Sequence, residues 1–150
     1  MGDNRKERAS CWLVARDKPG LLAAMMRALA GNSRISFEGD LSGCDFSRIA
    51  GTSVDETECL RRATIYPRQD FVGCPLEPET IKPILAEVLP EARVVHQIMH
   101  IQIEKDGRIA FGSYDNFHPE CIVAGPGVPM ALLEQLQASG VLRSFEMGTT

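Results

Sequence analysis

The sequence predicts an α+β fold in which helices cover one face of a mainly antiparallel sheet, and three observations carry that prediction. Strand-like and helix-like apolar periods alternate as strand, helix, strand, and the chain runs through that order more than once. Asp106-Gly107, between two alternating segments, is a hairpin signal and sets neighbouring strands antiparallel. At 150 residues and 44% hydrophobic, the chain can bury roughly 70% of the surface its unfolded form exposes, so a core needs neither metal nor disulfide.

Residues 11–16 read as a strand. Pro19 and Gly20 open a helix in which Leu21, Leu22, Met25, Met26 and Leu29 recur at helical spacing before Gly31 ends it. Residues 34–37 continue as a second strand, giving a βαβ-like unit. Residues 42–60 carry Gly, Ser and Thr without a sustained apolar period, and set Asp45, Asp55, Glu56 and Glu58 against Arg48. A loop of that length in a compact domain is functional, mobile, or hides a short helix. The pattern restarts with a strand at 62–66 and a second amphipathic helix marked by Ile81, Ile84, Leu85 and Val88. Thr80 is placed as its cap, so that Pro83 falls in the first turn, where its missing N–H costs little.

The longest strand runs over 94–104, with Met99, Ile101 and Ile103 on one face and His100, Gln102 and Glu104 on the other. Residues 108–112 return antiparallel. A further strand over 121–124, a turn over 125–129, a helix marked by Met130, Leu132, Leu133 and Leu136 and ended by Gly140, and a short strand over 141–145 complete the chain. This order fits a ferredoxin-like βαββαβ sandwich extended by a C-terminal hairpin and a β-α-β piece. The corresponding domain plan is a charged tail over 1–9, a core over 10–104 with an insertion at 42–60, and an extension over 105–150 packed on the same core.

A formal net charge of −4 and no basic stripe argue against nucleic acid, whose binders neutralise phosphates with Lys and Arg. The charged start and the short apolar run at 11–15 do not form a secretion signal, and nothing approaches the ~18 apolar residues of a membrane span, so a cytoplasmic location away from membranes is expected. Five cysteines, at 11, 44, 59, 74 and 121, lack any C-x-x-C pair and read as reduced thiols, without disulfide or zinc. Gly125-Pro126-Gly127 lacks the lysine and spacing of a P-loop, and no G-x-G-x-x-G follows a strand, so no cofactor is expected.

The informative motif is Asp17-Lys18-Pro19-Gly20-Leu21-Leu22. A glycine there lets backbone approach a ligand, and the first-turn N–H groups of Gly20, Leu21 and Leu22 suit a carboxylate or phosphate. Asp17 either caps the helix or takes a ligand ammonium; a plain capped turn accounts for the same residues. Preceded by the strand at 12–16 and followed by 29–35, this segment resembles the start of an ACT domain, which opens with a strand, a D-x-P-G-x-L turn, a helix and a second strand. The resemblance covers residues 11–38, then element order as far as 104. It implies a ferredoxin-like regulatory module that is not an enzyme and forms a homodimer. It further implies an amino acid or similar small anion held at Asp17, Gly20, Leu21 and Leu22.

Two other constellations bear on chemistry. Cys121, His118 and Asp115 nominally supply a nucleophile, a base and an orienting group. In an extended segment, however, residues three apart face opposite sides, and a cysteine leading into 122–124 is buried, which favours a turn before a core strand. His96 and His100, on a strand, lie about 13 Å apart, too far to share a metal. Arg61, Arg62 and Arg68 read as a solvated strand edge. Three functional readings follow in order. The first is a non-catalytic small-molecule binding or regulatory domain. The second is an acidic protein-binding partner of the bacterial immunity or antitoxin-inhibitor type, using 42–60. The third is a thiol enzyme using Cys121 and His118.

Overall fold

The computed structural model describes residues 10–90 and 97–148. In β1 (Cys11–Ala15), Cys11 and Leu13 point inward and Trp12 outward. α1 (Lys18–Leu29) begins at Asp17, whose carboxylate accepts the Gly20 amide at 2.9 Å. It buries Leu21, Leu22, Met25, Met26 and Leu29 along one stripe and ends before Gly31 at φ 105°. The remaining elements are β2 (Ser33–Gly39), β3 (Asp70–Leu76), α2 (Pro78–Val88), β4 (Ile98–Lys105), β5 (Arg108–Ser113), β6 (Ile122–Ala124), α3 (Met130–Ala138) and β7 (Leu142–Met147). β4 and β5 meet at Asp106 and Gly107, both at positive φ (55° and 77°), the conformation the Asp-Gly pair foretells.

All seven strands form one sheet in the order β3-β2-β4-β5-β6-β1-β7, antiparallel at every pairing. The protein is therefore α+β, with three helices and a seven-stranded antiparallel sheet among the described residues. Two β-α-β units are each split by a third strand. β2 lies between β3 and β4, which α2 connects; β1 lies between β6 and β7, which α3 connects. α1 joins the halves, and β5 and β6 stand between β4 and β1. The strands after residue 105 thus continue the same sheet.

The main core packs Leu13, Ile35, Phe37, Ile101, Ile103 and Phe111 of the sheet with the buried stripes of the helices. Residues 40–69 bind both faces. Leu41, Phe46 and Ile49 join the core, with Phe46 stacked on Phe37 at 5.7 Å. Ser53 and Gly73 exchange two backbone hydrogen bonds at the outer edge of β3. Beyond that edge the chain lies on the second face. Leu60 is fully buried, the Arg61 amide donates to Gln102 Oε1 at 3.1 Å, and the amides of Ala63 and Thr64 donate to the buried Glu38 carboxylate at 2.6 and 3.2 Å. The excursion therefore wraps around one end of the sheet.

Several expectations are corrected. Residues 62–66 form no strand, because the amides of Arg62, Ala63 and Thr64 are taken by the Glu56 and Glu38 carboxylates. The strand lies instead at β3, which holds Gly73 and Pro75; an edge strand tolerates a proline. No helix forms within 42–60. α2 starts at Pro78, not near Thr80, because Glu77 is its cap and the Thr80 hydroxyl accepts the Glu77 amide at 3.0 Å, which puts Pro83 inside the helix. β4 starts at Ile98; residues 94–96, including His96, lie outside the described residues.

Candidate functional site

Where residues 40–69 leave the core side and round β3, they border an open cavity of about 630 Å³. Leu41, Phe46, Phe71 and Val72 form its apolar wall, and Ser42, Ser47, Arg62, Arg68, Gln69 and Asp70 bring polar groups to it. β3 supplies Asp70, Phe71 and Val72, and the excursion supplies the rest. Asp70 ties the walls together by accepting the Leu41 amide at 3.0 Å.

Arg62 is held in place on three sides. Its guanidinium lies 5.2 Å above the Phe71 ring, its Nε donates to the Gln69 carbonyl at 3.4 Å, and Nη1 stands 3.8 Å from Glu56. Arg68 is exposed at the same cavity. The side-chain oxygen of Gln69, Oε1, is buried and takes no hydrogen bond, which is costly unless something else satisfies it. Two guanidinium groups beside an apolar wall complement a small molecule carrying an anionic group and an apolar part.

Acidic side chains neighbour the lining residues along the chain or pair with them. Hydrogen bonds from the Ser42 hydroxyl and amide hold the Asp40 carboxyl below its usual range, and Ser47 does the same for Asp45. The Arg62 amide, then the charges of Arg61, Arg62 and Arg68, lower Glu56. Burial, reinforced by the charges of Glu87 and Asp40, pushes the Cys44 thiol up, which keeps it protonated and unreactive at the cavity wall.

The residues singled out by the ACT resemblance lie elsewhere. The Asp17 carboxylate is engaged by the Gly20 amide, the Leu21 amide donates to the Asp17 carbonyl at 2.9 Å, and the side chains of Leu21 and Leu22 are fully buried. A Cβ at Gly20 would stand 2.4 Å from the Asp17 carboxylate, so the cap itself demands glycine. The turn packs beside Val141 and Asn116: the amides of Arg16 and Asp17 donate to the Val141 carbonyl, and Lys18 Nζ donates to the Asn116 carbonyl at 3.1 Å. None of the four residues lines the cavity.

Cys121 and His118 are brought together, with Sγ 3.9 Å from Nδ1, because this segment turns instead of extending. Asp115, Asn116 and Phe117 have φ of 53°, 51° and 60°, a single left-handed turn anchored by buried Phe117 and by the Asn116 side chain on the Ile98 carbonyl. His118 Nδ1 also accepts the Glu120 amide at 3.2 Å, so that nitrogen is shared between the amide and the thiol. Among the described residues no three His, Cys, Asp or Glu side chains group to hold a metal, and no helix is long and apolar enough to cross a membrane.

Of the cavity residues, Arg62 and Arg68 carry a one-dimensional signal, three arginines flanking a strand-like run, but it points to a solvated edge. Gln69 carries none, because its unused oxygen exists only once the excursion has folded over β3. Comparison with known protein families, with curated proteins and with solved structures finds no match in any of the three.

Proposed function

We propose that the chain is a non-catalytic small-molecule-binding protein of ACT-like, ferredoxin-like build, and that its ligand occupies the cavity under residues 40–69. The observation that carries this reading is the pair of arginines, Arg62 and Arg68, lining the same cleft as the apolar wall of Phe46 and Phe71. A small amino acid fits the chemistry: its carboxylate faces the guanidinium groups and its side chain meets Phe46 and Phe71. The ferredoxin-like build draws support from the two split β-α-β units, and the ACT likeness from the capped Asp17–Gly20 turn. Ligand binding alters output only through differential affinity for two states, and here the states are an open and a closed excursion. The homodimer implied by the resemblance belongs to the same proposal.

Thermal unfolding against a panel of the amino acids and simple carboxylates tests it. A ligand at 100 times its dissociation constant stabilises the native state by about 2.7 kcal/mol, a rise of several degrees in the midpoint. The rise is expected to vanish in Gln69→Leu and Arg68→Ala. A rise that survives both but disappears in Asp17→Ala moves the site to the Asp17, Gly20, Leu21 and Leu22 turn, and a flat panel overturns the reading.

A further inference from the structure

We propose that the groove over β1 and β7, on the second face of the sheet, docks a basic segment of a partner protein by taking an arginine or lysine side chain over Trp12. The excursion covers this face only over β2 and β4. At the other end Trp12, the chain's single tryptophan, is 44% exposed in a groove of about 400 Å³. Val14 and Ser144 form the floor, Ser144 standing opposite Val14 in the strand pairing, and its small side chain leaves the indole open. Glu146 stands directly opposite Trp12, so its carboxylate lies beside the ring on the same face. Glu120 and Pro119 close another side. Among the described residues no lysine or arginine lines the groove.

An exposed indole flanked by two carboxylates complements a guanidinium or ammonium, which gains attraction to the ring face and to both anions at once. The occupant is a protein segment because of where the groove lies. Among the described residues β7 is the outermost strand at this end of the sheet, so an extended chain can pair along its outer edge while alternate side chains reach across Ser144 to Trp12. The chain's net charge of −4 favours approach of a basic partner. This inference is independent of the cavity under residues 40–69.

Because Trp12 is the only tryptophan, its fluorescence reports on the groove directly. The probe is a short peptide alternating arginine with glycine; the control replaces each arginine with citrulline, its neutral isostere. The arginine peptide is expected to give a saturable fluorescence change that weakens with added salt. Binding is expected to fall about tenfold or more for the citrulline peptide and for the Glu120→Gln/Glu146→Gln double variant. Both glutamates are exposed, so an unchanged unfolding midpoint separates lost binding from lost fold. No response at about 1 mM arginine peptide, or equal affinity in the double variant, overturns the proposal. A fluorescence change that tracks protein concentration without peptide makes a second copy the occupant and overturns it as well. Labelled peptide bound equally by Trp12→Leu places binding elsewhere and has the same effect.

Discussion

Gly112 is fixed by a residue two positions away. After β5 the chain turns back so that Tyr114 lies over Gly112, and the Gln102 side chain donates to the Tyr114 hydroxyl at 3.0 Å. A Cβ at Gly112 would meet that hydroxyl at 2.7 Å and the ring at 2.9 Å. Gly112→Ala is therefore expected to destabilise the protein by roughly 1–3 kcal/mol in urea unfolding, and adding Tyr114→Ala should make the pair cost less than the sum of the two single changes. A strictly additive pair would show that the ring is not the cause. The sequence makes some residue roles legible and hides others, for a physical reason. Asp17 and Gly20 declare a helix cap because both partners lie within one turn. Gly112, Glu38 and Gln69 have roles that depend on groups brought back over them, and neither periodicity nor turn chemistry encodes such a meeting.

The elements divide along the same line. α1 is legible almost to the residue, since its cap, apolar stripe and stop are all local. β3 is not, because an edge strand can carry Gly73 and Pro75, which look like punctuation. The excursion over 40–69 is visible as a long aperiodic segment, but its path is set by carboxylates that accept its own amides. That arrangement makes it sensitive to acid. The folded carboxyls of Asp40, Asp45 and Glu56 titrate below their unfolded values, so each favours the folded excursion above the ordinary carboxylate range. That contribution is lost as pH falls through the lowered values. Below about pH 4, amide exchange at Ser42, Ser47 and Arg62 is expected to quicken before exchange in β2 and β4 does. Simultaneous loss of protection in both would show that these carboxylates do not hold the excursion separately.

At the scale of the whole molecule, an antiparallel sheet with helical cover is legible from the order of periods and the Asp106-Gly107 hairpin. The position of β1 is not. Sequential strands pair by default, yet β1 pairs with β6 and β7, and hydrophobic patterning cannot distinguish one apolar neighbour from another. β2, β3, α2 and β4 are drawn from one continuous stretch, whereas the unit around β1 joins Cys11–Ala15 to Leu142–Met147. Contacts so far apart in sequence carry the larger loop-closure cost. Pulsed hydrogen exchange during refolding is accordingly expected to protect β2 and β4 amides before those of β1; the opposite order would mean that the distant strands meet first. The same arrangement has a consequence during synthesis. β1 leaves the ribosome long before α3 and β7, and must wait without either of its neighbours. Until β6 and β7 have emerged, the strand bearing Trp12 is an open edge on both sides, available to a chaperone or to another nascent chain.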